Sequence, residues 1–541
     1  MTAVHPAPDS GLAAFLLELP AEADQQVVHW PGGSMTLGEL SGAAQELARL
    51  LARHGVADRE PVACVVNDGA TALITMFAVW LAGGVYLPVN TRLADAELRE
   101  HLAAGNPRVV VAAEADAGRV PGLWDRLIAT DRLVADRRSW TERAGLPWSG
   151  ERLPADTALI MRTSGTTGPS KPVLLGHRGV RDGIDTIIAQ LRGRQGKSGG
   201  QDKDGGKSGG RPPMANLVPT SLALWAGIWN ALFALRLGAP LVLLDRFDTV
   251  SYAELVRSFG IRSTVLAPAM MTMLSEDPRI TDLAPLTFVR SITAPLTPEQ
   301  ARRFHDRFGV DVLNCYGQTE LGGEVAGWTA ADIREFGAAK LGAVGRPHPG
   351  IAIRILADDR RELPAGEAGE IWIRSPFAAD DVAGKGAGNA VGEGAGDLAD
   401  RVADGFLRTG DLGQLDSDGF LWIEGRVSDM INRGGLKVVP QEVEEVLRRH
   451  PGVADACVAG VPDPRLGEVP VAWILPAAGA APAQAELQAF ARRALAGYKV
   501  PVAVRLIQEL PRNEIGKVLR RELVAGYETA VAGDAGGAEV N

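Results

Sequence analysis

Cysteine is scarce in this chain of 541 residues: Cys64, Cys315 and Cys457 are the only three, and they lie far apart. Isolated thiols cannot build a disulfide framework, and none are spaced as zinc ligands are, so a reducing, cytoplasmic setting is the expectation. Basic charge is also in deficit. Lys and Arg number 56 against 66 Asp and Glu, a formal net charge of −10, whereas a nucleic-acid binder needs a basic face for phosphate. The N-terminus lacks the basic region of a secretory leader, and Asp9 and Glu18 bracket its short apolar run. Residues 217–235 form the longest apolar run, but Pro219, Thr220, Ser221, Gly227 and Asn230 interrupt it. A buried loop and helix is expected there, not a membrane span. No internal repeat is visible.

What is present is a length too great for one core, with globular proportions of 46% hydrophobic and 23% charged residues. Residues 35–54 carry Leu37, Leu40, Ala44, Leu47, Leu50 and Leu51 along one side, a helical pattern. Residues 61–66 and 85–89 read as buried strands, 71–82 as a helix, and 156–162 as another strand. Alternation of this kind predicts a parallel sheet covered on both faces. Beyond about residue 345, Ile351, Ile353, Ile355, Ile371 and Ile373 alternate with period two, which predicts a small β-rich subdomain. After Gly425, a helix at 441–450 and strands at 454–461, 469–475 and 500–507 predict a compact α+β domain.

Residues 192–213, 383–403 and 530–541 are low in complexity and hold too little apolar surface to be expected to order. Gly-Lys-Ser occurs twice in the first of these, beginning at Gly196 and Gly206. A phosphate-binding Walker loop needs a further glycine five residues earlier, where Leu191 and Gln201 stand. Both copies read as flexible basic linker.

Five short motifs carry the chemistry. Thr163, Ser164, Gly165, Thr166, Thr167, Gly168, Pro169, Ser170 and Lys171 form a hydroxyl- and glycine-rich loop after a strand. Such a loop can turn backbone N–H groups and hydroxyls toward one anion, although a lone copy is ordinarily a turn. Asn314, Cys315, Tyr316, Gly317, Gln318, Thr319 and Glu320 follow a short strand at 311–313 and offer an aromatic face, a hydroxyl and a hard carboxylate. Arg408, Thr409, Gly410 and Asp411 place a carboxylate that can take both hydrogen bonds of a ribose diol, or sit in a common turn. Gly425, Arg426, Val427, Ser428 and Asp429 lead into Gly434, Gly435, Leu436, Lys437, Val438, Val439 and Pro440, which fits a hinge and a close backbone approach, or a surface loop. Near the C-terminus Gly516 and Lys517 place a point charge on a loop.

In this order and at these distances the motifs resemble the ANL superfamily of adenylate-forming enzymes, which takes in acyl- and aryl-CoA synthetases, peptide-synthetase adenylation domains and luciferases. The resemblance extends to Tyr86, Leu87, Pro88, Val89, Asn90, Thr91, Arg92 and Leu93, and to Val344, Gly345, Arg346, Pro347, His348, Pro349 and Gly350, so it covers nearly the whole chain. It implies an α/β fold: a large N-terminal domain of α/β lobes over residues 1–425, with its β-rich subdomain at about 341–425, and a mobile α+β C-terminal domain over 426–541. It implies ATP, Mg²⁺ and CoA as cofactors. The loop 163–171 would hold the ATP phosphates. Tyr316 would lie against adenine, Thr319 would meet phosphate, Glu320 would bind Mg²⁺, and Asp411 would hold the ribose. Arg426 would contact ribose or phosphate. Thr293, Ala294, Asn314 and Gly317 would complete the nucleotide site. Lys517 would serve the adenylation step, Ser428 the hinge, and Gly434, Gly435 and Lys437 the CoA-facing state.

The departures bear on details. Pro172 follows the loop lysine where the family usually has glycine, and Ser428 replaces the usual Asp or Lys of the hinge. The Pro-x-Phe-His of many acyl-CoA synthetases is absent around 218–222. No acidic residue lies in 218–230 to pair with an α-ammonium, as a peptide-synthetase domain would need. Leu222, Leu224, Trp225, Ile228, Trp229 and Gly322 are therefore expected to wall an apolar substrate pocket, with Glu324 the nearest acid that could reach it. The partners expected are a small apolar or aromatic carboxylic acid and CoA, with no nucleic acid. A carrier-protein pantetheine or an amine is the alternative acceptor, and a non-catalytic nucleotide- or acyl-binding protein the remote alternative.

Overall fold

Strand Pro61–Val65 is buried at every position and Val109–Ala113 nearly so, a pattern that belongs to a sheet covered on both faces. In the computed structural model, which describes residues 11–66, 69–113, 116, 118–119, 127–130, 140–142, 152–163, 171–198, 213–379, 400–512 and 518–536, they lie in a seven-stranded sheet. Its spatial order is Trp140–Glu142, Leu127–Thr130, Val109–Ala113, Pro61–Val65, Val85–Pro88, Thr157–Thr163, Lys171–Gly176. The inner pairs are parallel and the two outer pairs antiparallel. Helix Gly69–Leu81 is buried along almost its whole length. Helix Leu37–Arg53 starts at a capping box, in which Thr36 accepts from the Glu39 backbone and Glu39 reaches back.

A second sheet carries the candidate site. Ser263–Leu266, Phe288–Ser291 and the first half of Asp311–Gln318 pair in parallel. The second half of Asp311–Gln318 turns to antiparallel pairing with Gly323–Gly327, which pairs in turn with Arg346–Pro347. Leu266, Val289, Phe304, Tyr252 and Leu217 pack in the core beside this sheet. The sequence expectation of a strand ending at 313 is corrected here: residues 314–318 continue it, because the hairpin partner supplies backbone bonds that local pattern does not reveal.

The chain divides into two compact units, residues 1–352 with 373–407, and residues 353–372 with 408–541. The smaller unit contains the hairpin of Leu421–Arg426 with the end of Phe406–Leu415. It also contains a sheet in the order Leu436–Val438, Ile431–Arg433, Gly467–Pro476, Val453–Asp463, with Ala503–Leu506 beside Gly467–Pro476. Helix Pro440–Arg448 buries Val443, Val446 and Leu447 against it. The α/β class and the smaller α+β domain are as expected. The low-complexity reading needs three corrections: helix His177–Ser198 runs into residues 192–198, helix Arg520–Gly536 runs into 530–536, and Val402–Ala403 at the end of 383–403 is a strand paired with Phe406 and Leu407. Helix already nucleated upstream propagates through good formers such as Arg, Gln and Lys. Residues 199–212, 380–399 and 537–541 lie outside the described residues. Among those described, no helix is long and apolar enough to cross a membrane.

The fold makes a sharp demand at Gly345. Its φ is +101°, and a Cβ there would overlap the backbone of Gly327. At Gly350 φ is +84°, but a Cβ would meet nothing closer than 3.6 Å. Gly350→Ala should therefore lower stability by about 1 kcal/mol, the dihedral term alone. Gly345→Ala should lower it by about 3 kcal/mol or more, because backbone must also move. Paired thermal melts check the difference; equal shifts would mean that the close approach is not what constrains residue 345.

Candidate active site

The site begins where Asp311–Gln318 leaves the sheet. Tyr316 is half-buried, and its hydroxyl accepts from Gln318 Nε2 at 3.2 Å, which orients the ring. A single 3-10 turn, Thr319–Leu321, follows and ends at Gly322 with φ +83°. A Cβ at Gly322 would overlap the Phe377 carbonyl. Ala379 N donates to Glu320 O at 2.9 Å, and Ser375 Oγ to Leu321 O at 2.9 Å, so residues 375–379 clamp the turn. Glu320 is thereby held with its carboxylate 4.0 Å from Arg401. At the end of the neighbouring strand Thr293 has φ +72°, a strained value for a β-branched residue, and Ala294 N closes a tight turn on Ile292 O at 3.0 Å. Asn314 is directed inward: its Nδ2 donates to Ala343 O at 3.3 Å and its Oδ1 accepts from Cys315 N. A Cβ at Gly317 would overlap the Gly323 carbonyl.

Leu222 and Trp225 are buried and Trp229 is half-buried. Trp225 and Trp229 are one turn apart on helix Trp225–Leu237, and Gly323 faces both. Glu324, the one acid expected within reach, is already engaged. Arg290 Nη1 donates to its Oε1, and His348 Nε2 lies 2.7 Å from the same oxygen. Burial pushes the Glu324 carboxyl up, but Arg290 and His348 more than offset this and hold it below the ordinary carboxylate range. Burial and the Glu324 charge push the Cys315 thiol well up, and its Sγ lies 2.8 Å from Ser291 O.

In the smaller unit, Asp411 lies within a strand and not in a turn, opposite Arg426 in the register. Asp411 is buried, Arg426 Nε is 2.9 Å from its Oδ1, and Thr409 Oγ1 accepts from its backbone N–H. Gly434 and Gly435, with φ +58° and +87°, form the two-residue turn between Ile431–Arg433 and Leu436–Val438. Lys437 is exposed and 2.9 Å from Asp358. Ser428 is exposed in the turn Val427–Asp429.

Asp429 starts a run of ion pairs that no sequence motif signals. Arg520 bridges Asp429 at 3.1 Å and Glu444 at 2.8 Å. Arg448 joins Glu444 at 3.3 Å to Asp455 at 2.7 Å, and Arg512 also binds Asp455. Arg512 and Val518 form a β-bridge, and Leu519 N donates to Pro511 O at 2.8 Å. Both ends of the segment that carries Lys517 are thus tied down. Lys517 itself, with Ser164, Gly165, Thr166, Thr167 and Gly168, lies outside the described residues; Thr163 and Lys171 end the two flanking strands, paired with each other. Sequence reasoning also missed Arg290, Phe377 and Arg401, which act from distant segments and carry no local signature; His348 stood in a quoted motif, but without a role.

Residues 19–380 match the model of the AMP-binding enzyme family, and residues 442–517 that of the AMP-binding enzyme C-terminal domain. The chain belongs to the AMP-binding enzyme family. It is 31% identical over 523 residues to an indoleacetate–CoA ligase of Aromatoleum aromaticum, covering 93% of this chain and 96% of that protein. A sulfoacetate–CoA ligase of Cupriavidus necator is 31% identical over 91% of this chain and 92% of its own. Among solved structures, ATP-bound MatB from Rhodopseudomonas palustris superposes with a TM-score of 0.81 at 26% identity, over 96% of this chain and 99% of that one. The amide bond synthetase McbA from Marinactinospora thermotolerans gives 0.79 at 27% identity, over 96% and 100%.

For this family member, Glu324→Gln should lower stability at neutral pH by about 3 kcal/mol, because Arg290 loses its counter-charge in a buried setting. The sign with pH follows from the lowered carboxyl. The stabilisation is complete above the ordinary value of 4.5 and is lost as pH falls through the lowered value. Melting temperatures of the parent and variant should therefore converge below about pH 4.5. A constant gap from pH 7 to pH 3 would show that the Glu324 charge is not what Arg290 needs.

Proposed function

We propose that this chain activates an apolar or aromatic carboxylic acid with ATP, releasing pyrophosphate, and passes the acyl group from the adenylate to CoA. One observation carries the reading: similarity to an acid–CoA ligase runs through 93% of the chain, taking in both family regions. In the first half-reaction a carboxylate oxygen bonds to the α-phosphorus of ATP as the bond to the β-phosphate breaks and pyrophosphate leaves. In the second, the CoA sulfur bonds to the acyl carbon as AMP leaves. The loop 163–171 and Thr319 hold phosphates, Tyr316 lies along adenine, and the Asp411–Arg426 pair presents a fixed carboxylate to the ribose. Lys517 places positive charge where negative charge builds on the α-phosphate.

Glu320 suits Mg²⁺. It is a single hard carboxylate, and among the described residues no group of three or more His, Cys, Asp and Glu gathers as a protein cage. Mg²⁺ commonly takes one or two carboxylates together with substrate phosphates. When bound it supplies charge neutralisation at the phosphates. Residues 1–425 and 426–541 act as the two domains, and the family regions fall on either side of that boundary. Rotation near Ser428 exchanges Lys517 for the turn at Gly434 and Gly435. Leu436, 50% exposed beside that turn, gives the second face apolar surface to present. The three free cysteines agree with a cytoplasmic setting.

The acid is neutral at its far end, because Glu324 is already balanced by Arg290 and His348 and offers nothing to an α-ammonium. Acid-dependent ATP–pyrophosphate exchange over a carboxylate panel tests the reading. Each neutral acid should exceed its α-amino analogue by about a thousandfold, the effect of several kcal/mol for an unpaired buried charge. Preference for the amino acids would move the protein to peptide-synthetase chemistry. Offering CoA, carrier protein and amine separately identifies the acceptor. Lys517→Ala should slow exchange by about a hundredfold or more, and should slow thioester formation from supplied acyl adenylate far less. Equal losses in the two half-reactions would remove the domain rotation from the mechanism.

A further inference from the structure

We propose that the indole N–H groups of Trp225 and Trp229 form a subsite for one uncharged oxygen of the acyl group, so that the preferred acid carries a carbonyl or ether oxygen remote from its carboxylate. The inference rests on the reading that helix Trp225–Leu237 walls the acyl site, and it narrows the acid from apolar to apolar with one acceptor.

The two tryptophans are four residues apart at the start of the helix and therefore share a face. Side chains on a helix lean toward its N-terminus, so both indoles cover the same turn. Strand Gly323–Gly327 lies opposite. The point where a side chain of Gly323 would begin has Trp225 Nε1 at 3.5 Å, Trp229 Nε1 at 3.6 Å and Trp229 Cδ1 at 3.7 Å as its nearest neighbours. An atom there makes ordinary contact with everything around it. The missing Cβ of Gly323 thus leaves a gap of atomic size, and nitrogens that can only donate flank it.

Trp225 is 8% exposed, its Nε1 is sealed from solvent, and no acceptor among the described residues reaches it. A buried donor left unpaired carries a desolvation cost, which an arriving acceptor recovers. Two other buried indoles are paired: Trp80 Nε1 donates to Ala158 O at 2.9 Å, and Trp328 Nε1 to Ala343 O at 2.8 Å. Trp229 is held in place by stacking on Phe233, with ring centroids 5.2 Å apart and planes 11° from parallel. An oxygen displaced about half an ångström from the Gly323 point toward either nitrogen comes within hydrogen-bond distance of it. The acceptor is uncharged because the cation on the facing strands, Arg290, is held by Glu324.

The test is ATP–pyrophosphate exchange with matched acids: 4-oxo-4-phenylbutanoate and 3-phenoxypropanoate against 4-phenylbutanoate, and 5-oxo-5-phenylpentanoate against 5-phenylpentanoate. In at least one pair the oxygen-bearing acid should have the higher kcat/KM, by about tenfold for one well-made hydrogen bond. Trp225→Phe and Trp229→Phe should each bring the ratio of kcat/KM within such a pair to about one, since Phe keeps an apolar ring but has no N–H to donate. If Trp225→Phe does not fold, Trp229→Phe, at a less buried position, decides the matter. Methylene acids equal or better in every pair would overturn the subsite, as would equal loss for both members of a pair in the variants. Adipate preferred over the ketones would overturn the uncharged acceptor. Exchange with none of the acids, nor with any other carboxylate, would instead overturn adenylation itself.

Discussion

The candidate site depends on one strand serving two sheets' worth of pairing. Residues 311–314 are bonded in parallel to Phe288–Ser291, and residues 315–318 as one arm of a hairpin. The change of partner forces backbones together, and the chain meets that demand with residues that have no side chain. A Cβ at Gly317 or Gly327 would overlap neighbours in the hairpin, and one at Gly345 would overlap Gly327. Tyr316, Thr319 and Glu320 are carried past the sheet's end by this geometry. They stand where ligands of open α/β sheets bind, beyond the carboxyl ends of the strands.

Buried charge is handled the same way in both units: each carboxylate is matched inside its own unit. Glu324 is neutralised by Arg290 and His348, and Glu444 by Arg448 and Arg520. Breaking such a pair is far more damaging than never having built it, so these clusters hold geometry more than they add stability. In the larger unit the effect is that Glu324 offers no free charge, which is the ground for the neutral acid proposed above. In the smaller unit the effect is mechanical. Arg512 and Arg520 anchor the two ends of the segment with Lys517, and Asp429 extends the same network to the turn with Ser428. In the proposed mechanism that lysine would have to move with its whole domain, and a loosely held loop would uncouple it.

Local pattern was enough wherever an element is built from neighbours in sequence. Helices Leu37–Arg53 and Pro440–Arg448 declare themselves by apolar residues at helical spacing, and strands Pro61–Val65 and Gly369–Arg374 by apolar runs or alternation. The motif order named the family, because each motif is a short loop whose chemistry is contained in consecutive residues. Local pattern failed at residues 314–318, which read as loop but are strand, and at 192–198, which read as linker but continue a helix. In the first case the missing information was a partner strand, and in the second a turn of helix already formed upstream.

Family and chemistry were therefore legible in the sequence alone, since glycines, hydroxyls and carboxylates at fixed spacing specify a phosphate-handling loop or a strand-end carboxylate without reference to the rest of the chain. Tertiary structure alone decided which charges are free. Glu324 looked available in the sequence, but Arg290 precedes it by 34 residues and is brought near it by the strand Asp311–Gln318, which pairs in parallel with the strand of Arg290 and antiparallel with that of Glu324. The pairing of two indole nitrogens with the empty side-chain position of Gly323 is likewise a distance between a helix and a strand nearly a hundred residues apart. Contacts of this kind arise from sheet order and helix packing, and no window of sequence contains both partners.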